Sequence, residues 1–233
     1  YLELVKVSSH SLLEIINDIL DFSKIESGKI VLEKIEFPIR ELIATMLKAS
    51  AVRAEQKNIE LVYQIDPELP EILIGDPGKL RQVLSNLLVN AIKFSHHGTI
   101  TIDINLVELQ DEVARLHFSV TDQGIGIEAD KQEHIFQAFS QADASTTRKY
   151  GGTGLGLSIS SRLVQAMNGQ LQVQSDIGRG SCFYFSADFG FSLANSAPLQ
   201  QMHLQGLSAL IVDDNAINQK YIGDTLRHWQ MDV

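Results

Sequence analysis

The chain has 233 residues, of which 44% are hydrophobic, and this is enough apolar material for one substantial core with smaller fragments beside it. Its formal net charge of −10 argues against nucleic acid or an anionic membrane surface as the main partner. A single cysteine excludes an internal disulfide, and the sequence contains neither a recognisable signal peptide nor an apolar run long enough to span a membrane.

The first predicted element is a long helix that ends near Lys24. Apolar or small side chains recur three and four residues apart along it, as in a coiled-coil seam. These side chains belong to Leu2, Val5, Ser9, Leu12, Ile16 and Ile19. Residues 30–37 mix Ile, Val and Phe with charges, which indicates a short strand, and residues 38–56 indicate a helix. Residues 60–65 then indicate a strand, followed by a loop over residues 66–70.

The next helix is predicted to begin at Asp76 and Pro77, an N-cap residue followed by proline at the first helical position. At roughly 100° per residue, Asn86, Asn90 and Lys93 fall within an arc of about 60°. The opposite arc is apolar and consists of Leu80, Val83, Leu84, Leu87 and Ala91. A solvated face normally carries mixed charges, so this polar stripe indicates a ligand-facing side. Two asparagines exposed to water on an ordinary helix would give the same stripe.

Alternating apolar residues predict a hairpin that leads to a carboxylate. The alternating residues are Ile100, Ile102, Ile104 and Leu106 in one strand, and Leu116, Phe118 and Val120 in the other. Asp122 ends the second strand, where Gly124 and Gly126 leave space for its carboxylate to accept a hydrogen bond from an exocyclic amine. Taken alone, this segment favours an ordinary strand-ending turn. His96 and His97, before the first strand, are predicted to be exposed to solvent.

A glycine-rich turn precedes the following helix. Gly152, Gly154 and Gly156 stand before an apolar helical run that is predicted to stop at Gly169. Glycine lets the backbone approach a phosphate closely, and the N–H groups at a helix N-terminus favour anions. The string matches neither the Walker pattern nor the dinucleotide fingerprint. The polar stretch over residues 140–151 is a candidate lid, although a passive surface loop has the same composition.

The remaining elements complete an α/β architecture. A strand around residues 171–173 turns at residues 176–180 into a second strand, in which Cys182 is predicted to be a buried thiol. The elements together predict helices packed on one face of a mixed sheet, as a two-layer α/β sandwich. The polar stripe, the carboxylate with its glycines and the glycine-rich turn, in this order, indicate a pocket for a purine nucleotide with its phosphates and a divalent metal.

These segments resemble the motifs of the ATP-binding catalytic domain of sensor histidine kinases, within the superfamily that includes DNA gyrase B and MutL. The resemblance extends over about residues 36–190. The asparagine box matches residues 86–94, and the phenylalanine box matches residues 135–139. The three glycine boxes match, in order, residues 122–126, 152–157 and 178–181. The resemblance implies the Bergerat ATP-binding fold, with ATP and Mg²⁺ as its cofactors.

The resemblance also implies roles for individual residues. Asn86, Asn90 and Lys93 would be catalytic, with Asn90 holding Mg²⁺ through its amide oxygen and Lys93 supplying positive charge to the phosphates. Asp122 would bind the adenine amine. The other implied nucleotide-binding residues are Phe94, Gly124, Gly126, Ile127, Phe136, Phe139, Arg148, Gly152, Thr153, Gly154, Leu155, Gly156 and Leu157.

The resemblance divides the chain into four parts. Residues 1–27 resemble the second helix of the dimerisation and histidine-phosphotransfer hairpin, and residues 28–190 resemble the catalytic domain. Residues 191–206 are predicted to be a linker, and residues 207–233 resemble the opening of a flavodoxin-like receiver domain. This is the layout of a hybrid histidine kinase. We expect the phosphoacceptor histidine to lie upstream of Tyr1.

In the receiver-like part, residues 209–212 are predicted to form a short buried strand and residues 216–229 the first helix. Asp213 and Asp214 match the acidic pair that binds Mg²⁺ in this family. The implied partners are the acceptor helix of the same or the partner protomer in a homodimer, a receiver domain and downstream phosphorelay proteins. We expect this chain as a whole to bind no nucleic acid and to make no direct contact with a membrane. It would form the cytoplasmic part of a membrane-anchored sensor.

Two other functions compete with the kinase. A hydrolytic ATPase of the gyrase or MutL kind carries a glutamate at the position of Asn86 to activate water, and an amide cannot serve as that base. The intact boxes argue against the other alternative, a regulatory scaffold that binds nucleotide but only dimerises and docks. Measured phosphotransfer separates the scaffold from the kinase.

Overall fold

The computed structural model describes residues 31–138, 154–191 and 204–233, together with separate residues near the start of the chain. Those residues are Ser9, Leu13, Ile16, Leu20 and Ser23. Each is helical, in agreement with the predicted first helix, and each is exposed. The rest of the predicted seam, the candidate lid and most of the predicted linker lie outside the described residues. Within the described residues, no helix is both long enough and apolar enough to cross a bilayer.

A mixed sheet forms one layer of the fold. Its strands are β1 (Ile35–Pro38), β2 (Ile59–Ile65), β3 (Ile72–Gly75), β4 (Gly98–Gln110), β5 (Val113–Thr121), β6 (Gln172–Asp176) and β7 (Gly180–Phe191). They are arranged in the order β1-β3-β7-β5-β4-β2, with β6 beside β7. Strands β2 and β4 are parallel, and the other pairs are antiparallel. The predicted hairpin is confirmed as β4 and β5.

The second layer consists of helices on one face of this sheet. They are α1 (Ile39–Glu55), α2 (Pro77–Phe94) and α3 (Gly156–Ala166), whereas α4 (Ala216–His228) contacts the opposite face of the sheet. Helix α2 contacts both α1 and α3, and these three helices share one core with the sheet. The start of α2 is as predicted, because Pro77 lies in its first turn and the Asp76 side chain accepts a hydrogen bond from the Lys79 N–H at 2.9 Å.

The core lies between the helices and the sheet, and this determines which side of each strand meets solvent. The residues predicted to form the apolar arc of α2 are all buried: Leu80, Val83, Leu84, Leu87 and Ala91. They share a core with Ile100, Ile102 and Ile104 of β4, which have no exposed surface. Because successive strand residues point to opposite sides, Thr101 and Asp103 lie on the other, outer face of the sheet.

Strand β3 has no counterpart in the sequence prediction. Its few residues lie between β1 and β7 in the sheet, and Leu73 is fully buried. The last strand of the sheet, β7, extends through Phe191, which pairs with Leu73 and is buried. The ordered sheet therefore continues one residue into the predicted linker.

One side-chain prediction is wrong for a simple geometric reason. Cys182 is half-buried rather than buried, because its neighbour Phe183 points into the core and Cys182 therefore points outward. Helix α3 ends just before Gly169, as predicted, and the Gly169 N–H donates to the Val164 carbonyl at 2.9 Å, although Asn168 is the residue with the left-handed φ of 60°. Gly169 also gives the chain room, because a Cβ there would collide with the carbonyl oxygen of Ser186.

The predicted buried strand over residues 209–212 does not form. Leu210 is 89% exposed and Val212 is 86% exposed, and the only bridge described nearby joins Ser208 to Asp232. A buried parallel strand requires neighbouring strands and helices over both faces, whereas here the bridge is made by Ser208, just before this segment. The helix predicted to follow it is confirmed as α4.

Candidate functional site

The polar stripe of α2 lies against the start of α3. Asn86, Asn90 and Lys93 are all half-buried. The Asn86 side-chain N–H donates to the hydroxyl of Ser160 at 2.9 Å, and Asn90 makes a longer contact of 3.5 Å with the Asn86 amide oxygen. The backbone of Gly156 passes so close that a Cβ there would collide with the Asn86 side chain. The stripe therefore meets the glycine-rich N-terminus of α3.

The end of α2 meets the loop that follows β5. The Lys93 ammonium lies 4.9 Å from the centroid of the Phe94 ring, and burial lowers the pKa of Lys93. The Phe94 carbonyl accepts a hydrogen bond from the Ile125 N–H at 3.4 Å. It also lies so close to Gly124 that a Cβ on that residue would be 2.6 Å from the Phe94 oxygen. Helix α2 thus contacts both glycine segments.

Lys57, just after α1, caps the C-terminus of α2. Its ammonium donates to the carbonyl oxygens of Ile92 at 2.7 Å, Lys93 at 2.8 Å and Ser95 at 3.1 Å. The last carbonyls of a helix have no partner within the helix and carry its negative partial charge, so a cation there is favourable. No sequence motif identifies Lys57, which lies far from these carbonyls along the chain. We expect it to hold the end of α2, and with it Lys93 and Phe94, in position.

Replacing Lys57 with methionine is expected to lower the free energy of unfolding by about 1.5–3 kcal/mol, the range for hydrogen bonds that involve a charge. Methionine keeps the aliphatic packing but leaves the helix carbonyls without this donor. Urea unfolding measures the loss. The matched control is Lys48→Met on the exposed side of α1, where a change within about 0.5 kcal/mol is expected. Equal unfolding free energies for the two variants would contradict the capping role.

Asp122 is a buried carboxylate at the end of β5, with 5% of its surface exposed. One carboxylate oxygen accepts a hydrogen bond from the Gly124 N–H at 2.7 Å, and the Asp122 N–H donates to the Ser181 carbonyl at 2.8 Å. Burial raises the pKa of Asp122, and hydrogen bonds from the backbone of Gly124 and Ser181 partly oppose this rise. A buried carboxylate beside glycines can accept a further hydrogen bond from a ligand.

A serine that the sequence analysis does not single out ties the loop of Asp122 to the turn before β7. The Ser175 hydroxyl accepts from the Ile127 N–H at 2.8 Å and donates to the Gly180 carbonyl at 2.8 Å. The side chain of Gln132 donates to the carbonyls of Ile127 at 3.0 Å and Ser175 at 2.8 Å. Serine and glutamine have no distinctive spacing here, so only the folded chain reveals these partners.

The other predicted site residues divide into core and surface positions. Leu155 is 1% exposed and belongs to the core, whereas Leu157 and Phe136 are half-buried. The Phe136 ring packs edge-on against Phe183, with 6.4 Å between the ring centroids. Gly154 has a φ of 70°, which suits the tight turn before α3. The remaining predicted site residues lie outside the described residues: Phe139, Arg148, Gly152 and Thr153.

The receiver-like acidic pair lies apart from this site. Asp213 accepts from the Asn215 N–H at 2.8 Å and contacts the Asn218 amide at 3.4 Å, so it helps to cap α4. Asp214 is exposed. Across the described ranges, no group of three or more His, Cys, Asp and Glu side chains is placed to hold a metal ion. His96 and His97 are exposed, as predicted.

The chain is similar to known histidine kinases in sequence and in structure. Residues 75–190 match the family model of the histidine kinase-, DNA gyrase B-, and HSP90-like ATPases. Sensor histidine kinase GacS of Pseudomonas protegens is 40% identical over 100% of this chain, which covers 25% of that protein. Signal transduction histidine-protein kinase BarA of Escherichia coli is 38% identical over 100% of this chain, which covers 26% of that protein.

Full-length ShkA in complex with AMPPNP has a similar structure, with a TM-score of 0.82 and 31% sequence identity. The match covers 100% of this chain and 47% of the ShkA chain. Our chain spans about a quarter of the length of GacS and BarA, so it corresponds to one part of those proteins. The chain belongs to the histidine kinase-, DNA gyrase B- and HSP90-like ATPase family and carries the ATP-binding catalytic domain of its sensor histidine kinases.

Proposed function

We propose that this chain is the catalytic part of a hybrid sensor histidine kinase. In this proposal it transfers the γ-phosphoryl group of ATP to a histidine on an upstream helix, in the same or the partner protomer of a homodimer. A receiver aspartate and downstream phosphorelay proteins would then receive the group. The observation that supports this most strongly is the buried carboxylate of Asp122, in a glycine loop that contacts the amide- and lysine-bearing helix α2.

The proposed nucleotide contacts follow from the chemistry of each group. Asp122 has an acceptor available for the exocyclic amine of adenine, and the glycines beside it leave room for the ring. Phe94, Ile127 and Phe136 supply half-buried apolar surface for the base. Lys93 supplies a cation for the phosphates. The glycines of residues 152–157 would bring backbone N–H groups to the phosphates at the N-terminus of α3.

The residues of the site could hold Mg²⁺ only when a nucleotide is bound beside them. Asn90 offers one amide oxygen, a hard ligand of the kind that Mg²⁺ prefers. In the parts of the chain that the structure describes, no acidic cluster could hold the ion alone. Mg²⁺ is commonly held by one or two protein ligands together with the phosphates of a substrate. With Asn90 as the protein ligand, the phosphates of the nucleotide would have to supply the other ligands. When bound, the ion would neutralise phosphate charge, while the protein positions the phosphates by the contacts described above.

Asn86 favours phosphotransfer over hydrolysis. A water-activating base needs an unoccupied basic lone pair, whereas the Asn86 nitrogen is a non-basic amide that donates to the Ser160 hydroxyl at 2.9 Å. The same side chain lies against Gly156, so its contacts serve to join α2 to α3. We therefore assign Asn86 a positioning contribution within the catalytic set, and we do not expect this chain to hydrolyse ATP efficiently.

Phosphotransfer in trans tests the proposal. The chain is incubated with radiolabelled ATP, Mg²⁺ and a longer relative of itself that contains the upstream acceptor helix but has a disabled ATP site. We expect acid-labile label on the longer chain. We expect none on the 233-residue chain alone, because no histidine in it is directly followed by an acidic residue that could accept the imidazole proton. Asn90→Ala is the matched variant in which transfer should be lost.

Each alternative function predicts a different result. Steady release of inorganic phosphate without an acceptor would identify a hydrolytic ATPase. Nucleotide binding by isothermal titration, without transfer to any acceptor helix, would identify a regulatory scaffold. Acid-labile label on His10 of the chain alone would contradict the assignment of the acceptor to the upstream helix.

A further inference from the structure

Helix α4 lies across the outer face of the sheet, opposite the helices that cover the core. The Tyr221 hydroxyl donates to the Asp103 carboxylate at 2.9 Å. The side-chain amide of Asn218 donates to Glu60 at 2.6 Å, and that of Asn215 contacts the other oxygen of the same carboxylate. Glu60 lies on β2 and Asp103 on β4, so these hydrogen bonds join the C-terminal segment to two adjacent, parallel strands.

The burial of a strand residue supports the same contact. Val62 lies on the outer face of β2, between Glu60 and Gln64, and pairs with Thr101 of β4. It is 4% exposed, yet it is outside the core cluster beneath α1, α2 and α3. A valine on an uncovered sheet face would be exposed to water. Val62 is buried because α4 lies over β2, with Glu60 and Asp103 bonded on either side of it.

The residues of α4 that make these contacts lie on one side of the helix. Asn218 and Tyr221 are spaced three residues apart, which places them on one face. The Tyr221 phenol is partly buried there, and this burial and the adjacent Asp103 carboxylate raise the pKa of Tyr221 to about 12. The phenol therefore remains a protonated donor at any physiological pH, and the hydrogen bond to Asp103 persists.

The contact leaves several apolar side chains of the segment exposed. Leu210 is 89% exposed, Val212 is 86% exposed and Ile222 is 44% exposed. The surface that binds the sheet is thus polar and separate from these apolar residues. A polar helix face laid on Glu60 and Asp103 can stay in place while the apolar residues pack elsewhere.

We propose that the outer face of β2 and β4, around Glu60, Val62 and Asp103, is a docking site for residues 204–233 of the same chain. The docked helix α4 holds this segment at a fixed position on the ATP-binding domain, so the connection between them does not act as a loose tether. Glu60, Asp103 and Tyr221 are the positioning residues of this interface. The proposal concerns the interface alone and does not depend on which reaction the chain catalyses.

Trp229 provides a direct test, because it is the single tryptophan of the chain and directly follows α4. Time-resolved fluorescence anisotropy of the intact chain should decay mainly with the tumbling time of the whole molecule. The double variant Glu60→Ala with Tyr221→Phe removes the amide and phenol contacts. We expect its anisotropy to gain a component with a several-fold shorter correlation time, while the ATP-binding domain keeps its melting temperature.

The control is the double variant Glu108→Ala with Tyr184→Phe, which changes the same residue types elsewhere on β4 and β7. Its anisotropy decay should match that of the unchanged chain. If the anisotropy decay of the unchanged chain already has a fast component of large amplitude, the proposal is overturned. An unaltered decay in the Glu60 and Tyr221 double variant would also overturn it. Hydrogen exchange gives an independent readout: the amides of α4 should lose protection in that variant and keep it in the control.

Discussion

Replacing Asp122 with asparagine is expected to weaken the binding of ADP or ATP by about 1.5–3 kcal/mol, roughly tenfold or more in the dissociation constant. Asparagine has nearly the same size, and its amide oxygen can still accept from the Gly124 N–H. It loses the negative charge, however, and presents an N–H₂ group where the adenine amine needs an acceptor. Isothermal titration measures the effect, with Asp130→Asn in the exposed turn as control. Equal ADP affinity in the two variants would refute the adenine contact.

The same variant should not lose stability at neutral pH. Burial raises the pKa of Asp122 in the folded chain above its ordinary value, so the unfolded chain gives up this proton more readily. Ionisation of Asp122 therefore lowers the free energy of unfolding as the pH rises from the ordinary aspartate pKa to the raised one. Above the raised pKa this loss of stability no longer changes with pH. An asparagine at this position does not ionise and has no such cost. Urea unfolding at neutral pH should give an unfolding free energy for the variant equal to or above that of the unchanged chain.

The pH dependence of binding has the opposite sign to that of stability. Only the carboxylate form of Asp122 gives the charge-assisted hydrogen bond to adenine. ADP affinity should therefore fall as the pH is lowered through the raised pKa of Asp122, at a higher pH than for an ordinary aspartate. In Asp122→Asn this dependence should be absent. Titrations of both proteins over the same pH series check the assignment, and an identical pH profile would contradict it.

The sequence predicts the elements whose signals are local. Helix α2 is indicated by Asp76 and Pro77, which occupy the cap and the first turn, and by an apolar arc that is fully buried. The β4 and β5 hairpin follows from strict alternation, which gives one buried and one outward face. Asp122 can be placed at the end of β5 because the alternation stops there. Each of these signals depends on residues only a few positions apart.

The sequence does not predict features that depend on distant residues. Strand β3 is short, and its place between β1 and β7 is determined by partners from both ends of the domain. Ser160 and Ser175 bind Asn86 and Ile127 across long separations in the chain, and nothing in their local sequence distinguishes them. The predicted strand over residues 209–212 has the right composition, but composition alone does not supply neighbouring strands.

Two glycines where the chain turns from β6 into β7 give the largest expected difference in stability. Gly178 and Gly180 both have left-handed backbones, with φ of 75° and 91°. An alanine there costs about 1–2 kcal/mol, because its Cβ approaches the following carbonyl. A Cβ on Gly178 would meet no atom within 4 Å, whereas one on Gly180 would collide with the Asp122 carbonyl and lie 2.9 Å from the Cα of Gln123. These neighbours are backbone atoms and cannot rotate away.

Gly178→Ala is therefore expected to lower the unfolding free energy by about 1–2 kcal/mol and to leave ADP affinity unchanged. Gly180→Ala should lose a further 1–3 kcal/mol or so, the usual range for overpacking. It should also weaken ADP binding, because relief of the collision moves the backbone that holds the Asp122 carboxylate. Urea unfolding and isothermal titration on both variants, at a temperature where each is folded, separate the two effects. Equal losses of stability, with equal ADP affinities, would show that the glycine at position 180 serves only its own backbone conformation and not the close packing against Asp122.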